Sequence, residues 1–289
     1  MERELFAALL RVLTKIPEAR LRPHKATYTN ANVIAVALWA ALHDRPISWA
    51  TQRTNWPAHD RTRDLPSSAT MSRRLIRPLV ETILNEMLDA LRLRGQGERT
   101  LMLDGRPLTI AKHSGDPDAD FGRAAGGIGK GYKLHAIIDL LGNCRAKRVE
   151  NLRVSEQAAA RDMLEQLEPG EADTLLGDKN YDSNQLYQLA GDRGMQLLTP
   201  RRFENAEGLG HCRHSEHRLR GIKIVAKDPG VLHARRFIES CFGTQGNRIG
   251  GLGPLPNHVR REHRVRRWVN LKLVIDAAHR WRKNQTKQP

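Results

Sequence analysis

The chain has 289 residues, 39% of them apolar, which suffices for the core of one large domain or of a large and a smaller one. Lys and Arg number 48 against 32 Asp and Glu, and a net charge of +16 calls for an anionic partner. The apolar run 33–42 is too short to span a bilayer, no basic amphipathic helix with an aromatic-apolar face stands out, and the opening Met-Glu-Arg-Glu-Leu has no signal-peptide pattern. These features exclude a membrane partner and leave nucleic acid as the expected one. Cys144, Cys212 and Cys241 are widely spaced and odd in number, which predicts a reducing, cytoplasmic location without a disulfide framework.

Residues 1–98 read as helical. Leu5, Phe6, Leu9, Leu10 and Leu13 recur at helical spacing, and Pro17 follows. Thr29 or Asn30 is placed to cap a second helix that runs to about His43. A short helix is expected over 47–53, a charged loop over 59–63, and a longer helix over 80–93. Between them, Ser67-Ser68 precedes an Arg-rich start at Ser72-Arg73-Arg74. That pattern fits a helix-turn-helix whose second helix meets the major groove, and equally a plain bundle. The segment Arg94-Gly-Gln-Gly-Glu98 is the expected boundary, with 1–98 a small helical DNA-binding domain and 99–289 the second domain.

After the boundary, Leu101-Met-Leu103 is a short apolar strand ending in Asp104-Gly105. Residues 111–131 are polar and glycine-rich. A phosphate-binding loop is rejected there, because Ala124 and Gly131 stand where that motif needs Gly and Ser or Thr, and a mobile loop is expected instead. Strands follow over 132–139 and 144–152, then a helix over 155–167. Thr174-Leu-Leu-Gly-Asp178 repeats the strand-then-carboxylate arrangement, followed by a helix over 183–190 and a strand over 195–198. The order predicts a mixed sheet covered by helices. Residues 203–229 read as a basic loop. Within it, His211, Cys212, His214 and His217 lie too close together for the two separated pairs of a zinc site. A helix is expected over 231–242, where Arg235 and Glu239 stand one turn apart in the weaker order for a stabilising pair. A glycine loop at 246–253 and a long basic helix over 259–281 close the chain, the latter with its Lys and Arg outward.

Two Asp residues therefore end strands, where ligands bind in open α/β sheets, and Glu239 lies on a late helix. Magnesium takes hard oxygen ligands from one or two carboxylates plus phosphate and water. Two such ions can clamp the attacking and leaving oxygens of a phosphoryl displacement. Three converging carboxylates on a basic chain would hold them against a polyanion.

The motifs Met102-Leu-Asp104-Gly, Lys112-His-Ser-Gly-Asp-Pro-Asp118, Gly129-Lys-Gly-Tyr132-Lys-Leu-His135, Gly177-Asp178-Lys-Asn-Tyr181-Asp182 and Arg235-x-x-x-Glu239 together resemble the DDE transposases of bacterial insertion sequences, in the family 4/5-like group. The resemblance spans roughly 60–280. It implies a ribonuclease-H-like mixed sheet flanked by helices, preceded by a small all-helical N-terminal domain. It also implies Asp104, Asp178 and Glu239 as catalytic, metal-binding residues for two Mg2+ ions, with Mn2+ able to substitute. Arg235 would touch DNA phosphate or orient Glu239; Lys133 and His135 would face DNA at the site or, equally, form a solvated strand face; Arg73 and Arg74 are the expected DNA contacts of the N-terminal domain. The family's third motif carries a Tyr and a Lys where this chain has Leu232 and Gly246, and Arg248 is the nearest substitute for the Lys. The implied partners are double-stranded DNA, as element ends and target, and a second copy of the chain. The implied reaction is hydrolysis that frees a 3′-hydroxyl, followed by its attack on target DNA. Two other readings stand beside it: a catalytically silent DNA-binding protein derived from a transposase, and a host metal-dependent nuclease.

Overall fold

A computed structural model describes residues 2–60, 64–202, 214–247 and 251–286. In chain order the helices α1 (Glu2–Leu13), α2 (Pro17–Arg20), α3 (Asn30–Leu42), α4 (Ile47–Ala50), α5 (Ser68–Leu75) and α6 (Pro78–Ala90) come first. Strands β1 (Thr100–Ile110), β2 (Asp120–Ala124), β3 (Gly127–Asp139) and β4 (Cys144–Asn151) follow, then α7 (Glu156–Leu164), β5 (Thr174–Leu176), α8 (Asn184–Asp192) and β6 (Gln196–Leu198). The chain continues with α9 (Glu216–Lys227), a 3-10 turn over Pro229–Arg235, α10 (Arg236–Asn247) and α11 (Glu262–Gln285). These elements form two compact units, one of residues 1–92 with 245–289 and one of 93–244.

The first unit is a helical bundle. Thr29 caps α3 reciprocally: its hydroxyl accepts from the Asn32 amide at 3.1 Å, and the Asn32 side chain accepts from the Thr29 amide at 3.2 Å. Residues 33–41 of α3 are buried on every side, as expected of a helix apolar all round. Helix α11 packs on α1, α3 and α6. Sequence reading places this helix with the second domain; here Val265, Val269, Leu273 and Val274 complete the bundle's core. Nor do all its cations face outward. Lys272 is wholly buried and meets Asp44 at 2.6 Å, since its neighbours on that face belong to the core.

The second unit is built on a six-stranded mixed sheet. Strand β3 pairs antiparallel with β1, β2 and β4; β1 pairs parallel with β5, and β5 with β6. The order β4-β3-β1-β5-β6, three antiparallel strands continued by two parallel ones, is ribonuclease-H-like. On one face Leu101, Leu103 and Ile137 pack against Ala160, Met163 and Leu164 of α7 and Leu186 and Tyr187 of α8. On the other, Arg106 of β1 donates to the Phe242 carbonyl of α10. A sheet flanked by helices is thus what both the strand order and the resemblance lead one to expect.

Three local expectations are corrected. Much of the glycine-rich stretch 111–131 is a β-hairpin: β2 and β3 pair from Asp120↔Gly131 to Ala124↔Gly127, and Gly126 at φ 80° turns the chain. Part of the expected basic loop is helix α9, capped by Ser215, whose hydroxyl accepts from the Arg218 amide at 3.2 Å. It docks through a missing side chain: a Cβ on Gly221 would stand 2.7 Å from the Tyr187 ring and 2.8 Å from the Leu197 carbonyl. Such a contact leaves no apolar periodicity in the sequence. The helix expected over 231–242 is instead a 3-10 turn followed by α10, which carries on through Gly246. His211 and Cys212 lie outside the described residues, as does Arg248.

Candidate active site

Strand β1 runs parallel to β5 with Met102 opposite Leu176. Asp104 and Asp178 each lie two residues beyond that pair, so the two carboxylates stand side by side: Asp178 just past the end of β5, and Asp104 within β1, which runs on to Ile110 instead of ending at the carboxylate as expected, because its pairing with β3 continues. The sequence imposes this locally. Buried Leu175 and Leu176 hold β5 in the sheet, and Gly177 leaves room for the Tyr181 ring, 3.1 Å from where a Cβ would be. Asp178 then caps the 3-10 turn Lys179–Tyr181, accepting from the Asn180 amide at 2.8 Å.

Electrostatics mark the pair. Burial pushes the Asp104 carboxyl up to about 6; the Gly105 amide opposes this, and the charge of Asp178 adds to it. Burial also raises Asp178, against the Asn180 amide and with help from Glu156. Arg235 is a compensating cation for both, and Lys133 a further one for Asp178. Two partly buried carboxylates that repel each other fit a divalent cation, which needs one or two such ligands beside water and phosphate.

Glu239 stands differently. Its side chain is 54% exposed and pairs with Arg235 at 3.1 Å. Arg235 at the end of the 3-10 turn thus faces the Asp pair while holding Glu239 in the first turn of α10. Among the described residues, no three His, Cys, Asp or Glu side chains gather closely enough to hold a metal. The structure brings Asp104 and Asp178 together and connects Glu239 to them through Arg235.

Lys133 is buried and donates to Glu156 at 2.7 Å. The other Glu156 oxygen accepts from the Asn180 side chain at 3.2 Å, and that amide also reaches Asp178 at 3.2 Å. A chain Lys133–Glu156–Asn180–Asp178 therefore fixes the second aspartate. Sequence reasoning missed Glu156 and Asn180. Glu156 opens α7, where an acid is ordinarily read as a complement to the helix dipole, whereas Asn180 sits inside the motif around Asp178. His135 is wholly buried beneath the strand, and burial and Lys133 lower its pKa to about 4. Arg73 is exposed on α5. Arg74 is buried and donates to the Tyr28 carbonyl at 3.0 Å and the Asn30 side chain at 2.7 Å, so it anchors the bundle.

The fold and paired carboxylates define a class: a ribonuclease-H-like unit with two acidic residues side by side, one within β1 and one just past β5. Residues 95–227, within this unit, match the family described as the transposase DDE domain. No curated protein matches the chain. A solved structure described as the simian T-cell lymphotropic virus intasome in complex with PP2A regulatory subunit B56 gamma aligns at 12% identity, with a TM-score of 0.24. That alignment covers 62% of this chain and 60% of the other. No described helix is long and apolar enough to cross a membrane.

Proposed function

We propose that the chain is a DNA transposase of the DDE type that hydrolyses phosphodiester bonds at the ends of a mobile element and joins the freed 3′-hydroxyl to target DNA. The observation that carries this reading is the Asp104–Asp178 pair, side by side on adjoining strands inside the segment that matches the transposase family. Asp104 and Asp178 would hold a divalent cation, Mg2+ with Mn2+ able to substitute, and Glu239 would complete a two-ion site. Bound metal supplies Lewis acidity toward a phosphoryl oxygen and lowers the pKa of water. Glu156 and Asn180 keep Asp178 turned toward Asp104. Arg235 meets the phosphate backbone. The net charge of +16 supplies the grip on duplex DNA, both element ends and target. The unit of residues 93–244 carries the chemistry, and the helical unit, with Arg73 exposed, contacts DNA. Lys133 and His135 support the strand rather than touch DNA. The protein acts in the cytoplasm of a bacterium and pairs as a homodimer at the two element ends.

The test is cleavage of duplex DNA carrying the inverted repeats that flank the gene. The wild type should cut at the repeat ends in Mg2+. Asp104→Asn, Asp178→Asn and Glu239→Gln should each lose cleavage while binding DNA within a few-fold. Near-normal cutting by any of them removes that residue from the site. Binding without cleavage by the wild type would point to a silent DNA-binding protein, and cutting without regard to the repeats to a host nuclease.

A further inference from the structure

A second feature lies in the helical unit, away from the carboxylates. A cavity of about 260 Å3 opens between α11, the start of α4 and α5. Its polar wall is formed by Arg45, Arg264, Arg267, His258, Ser68 and Ser72, and among the described residues no carboxylate lines it. Arg267 is the central group. It is half-buried, and no carboxylate pairs with it among the described residues. Burial and the neighbouring Arg264 bring its guanidinium down to about 10. Two neighbouring cations on α11 do have partners: Arg266 pairs with Glu262, and Lys272 with Asp44. Trp268 and Leu271 close the cavity's apolar side.

A partly desolvated guanidinium beside a second one, with no acid to answer it, costs stability unless an anion arrives. The chemistry of the wall selects which anion. Arginine presents a planar fork that matches two oxygens of a phosphate, and serine hydroxyls donate to the same group. The apolar side suits the sugar next to a phosphodiester. We propose that this cavity binds a backbone phosphate of duplex DNA, with Arg267 and Arg264 as its principal donors and Ser72 at the rim. This rests on the reading of the protein as DNA-directed. It adds a phosphate site formed jointly by the last helix and the N-terminal helices, so neither segment binds at full strength alone. A backbone contact positions the duplex and carries no sequence information.

The test measures duplex affinity of the full chain across a range of salt. Arg267→Gln should weaken binding about tenfold and lower the slope of log K against log salt by about one, the signature of one lost phosphate contact. Ser72→Glu places a negative charge at the exposed rim without touching the core and should do the same, which guards against a folding defect in the first variant. Arg3→Gln, an exposed charge outside the cavity, should leave the slope within error. An unchanged slope in both folded cavity variants overturns the proposal. If inorganic phosphate raises the melting temperature of the wild type but not of Arg267→Gln, and the DNA slope is unchanged, the cavity binds free phosphate and the backbone assignment fails. A wild type with no salt-dependent DNA binding sinks the DNA-directed reading as well. Loss of slope in a protein that never cleaves DNA sinks only the catalytic reading.

Discussion

Replacing Asp104 by Asn should stabilise the metal-free protein while abolishing its response to divalent cations. Burial and the charge of Asp178 raise the Asp104 carboxyl from 3.8 to about 6. A shift of about two units corresponds to about 3 kcal/mol carried against folding at neutral pH. Because the side chain is not fully enclosed, about 2 kcal/mol is the expected gain on neutralisation. Asn keeps the shape and an oxygen able to accept from the Gly105 amide, as Asp104 does at 2.8 Å. The pH dependence follows from linkage: between 3.8 and about 6 the folded wild type binds more protons than the unfolded chain, so its stability falls as pH rises through that window. The advantage of Asp104→Asn should therefore be near zero at pH 4 and complete above pH 6. Taking the difference between variant and wild type cancels titrations the two share. For a cooperative unit of this size, about 2 kcal/mol moves the melting temperature by roughly 4–8 °C. The assay is thermal unfolding in chelator at pH 4 and pH 7, repeated with Mg2+. At a hundred times its Kd, the cation should add about 2.7 kcal/mol to the wild type and almost nothing to the variant. A variant no more stable than the wild type at pH 7, or equally favoured at pH 4, would refute the claim that Asp104 is ionised against the fold. Equal stabilisation of both proteins by Mg2+ would place the metal elsewhere.

Two further outcomes follow from buried titratable groups. His135 is held neutral, its pKa lowered from 6.5 to about 4, so the unfolded chain binds more protons between those values. Its contribution is fully present above pH 6.5 and is lost as pH falls toward 4, up to about 3 kcal/mol, and urea unfolding of His135→Leu should lack that dependence. A parallel pH profile in the variant would show that another group is responsible. Asp44→Asn leaves Lys272 buried without its counter-charge and should cost about 2 kcal/mol, below the value for a fully enclosed pair because Asp44 is partly exposed. A melting temperature unchanged within 1–2 °C, roughly the shift of half a kcal/mol, would mean that the lysine finds water.

The sequence by itself determined the elements that have strong local signals. The apolar run of α3, with Thr29 before it, and the Leu-Leu of β5 ending in Gly177-Asp178 each specify a buried helix or strand and its end. The strand-then-carboxylate pattern also marked Asp104 and Asp178 as a pair; it was right that β5 ends before Asp178, but β1 runs through Asp104 to Ile110, and only the sheet set the two carboxylates side by side. What tertiary structure alone decided is partnership. Helix α11 is far from α3 in sequence, and nothing in its basic composition says that its apolar positions complete the N-terminal bundle or that Lys272 will meet Asp44. Helix α9 docks through the hydrogen of Gly221, a contact made by an absent side chain and so invisible to periodicity. The hairpin of β2 and β3 depends on pairing across the sheet, which polar, glycine-rich residues do not announce. Glu156 reaches Asp178 through Asn180 only because α7 packs over β3. Arg267, which no carboxylate meets among the described residues, likewise looks like any surface arginine in sequence, since an arginine's meaning is set by which carboxylates the fold brings to it and which it keeps away.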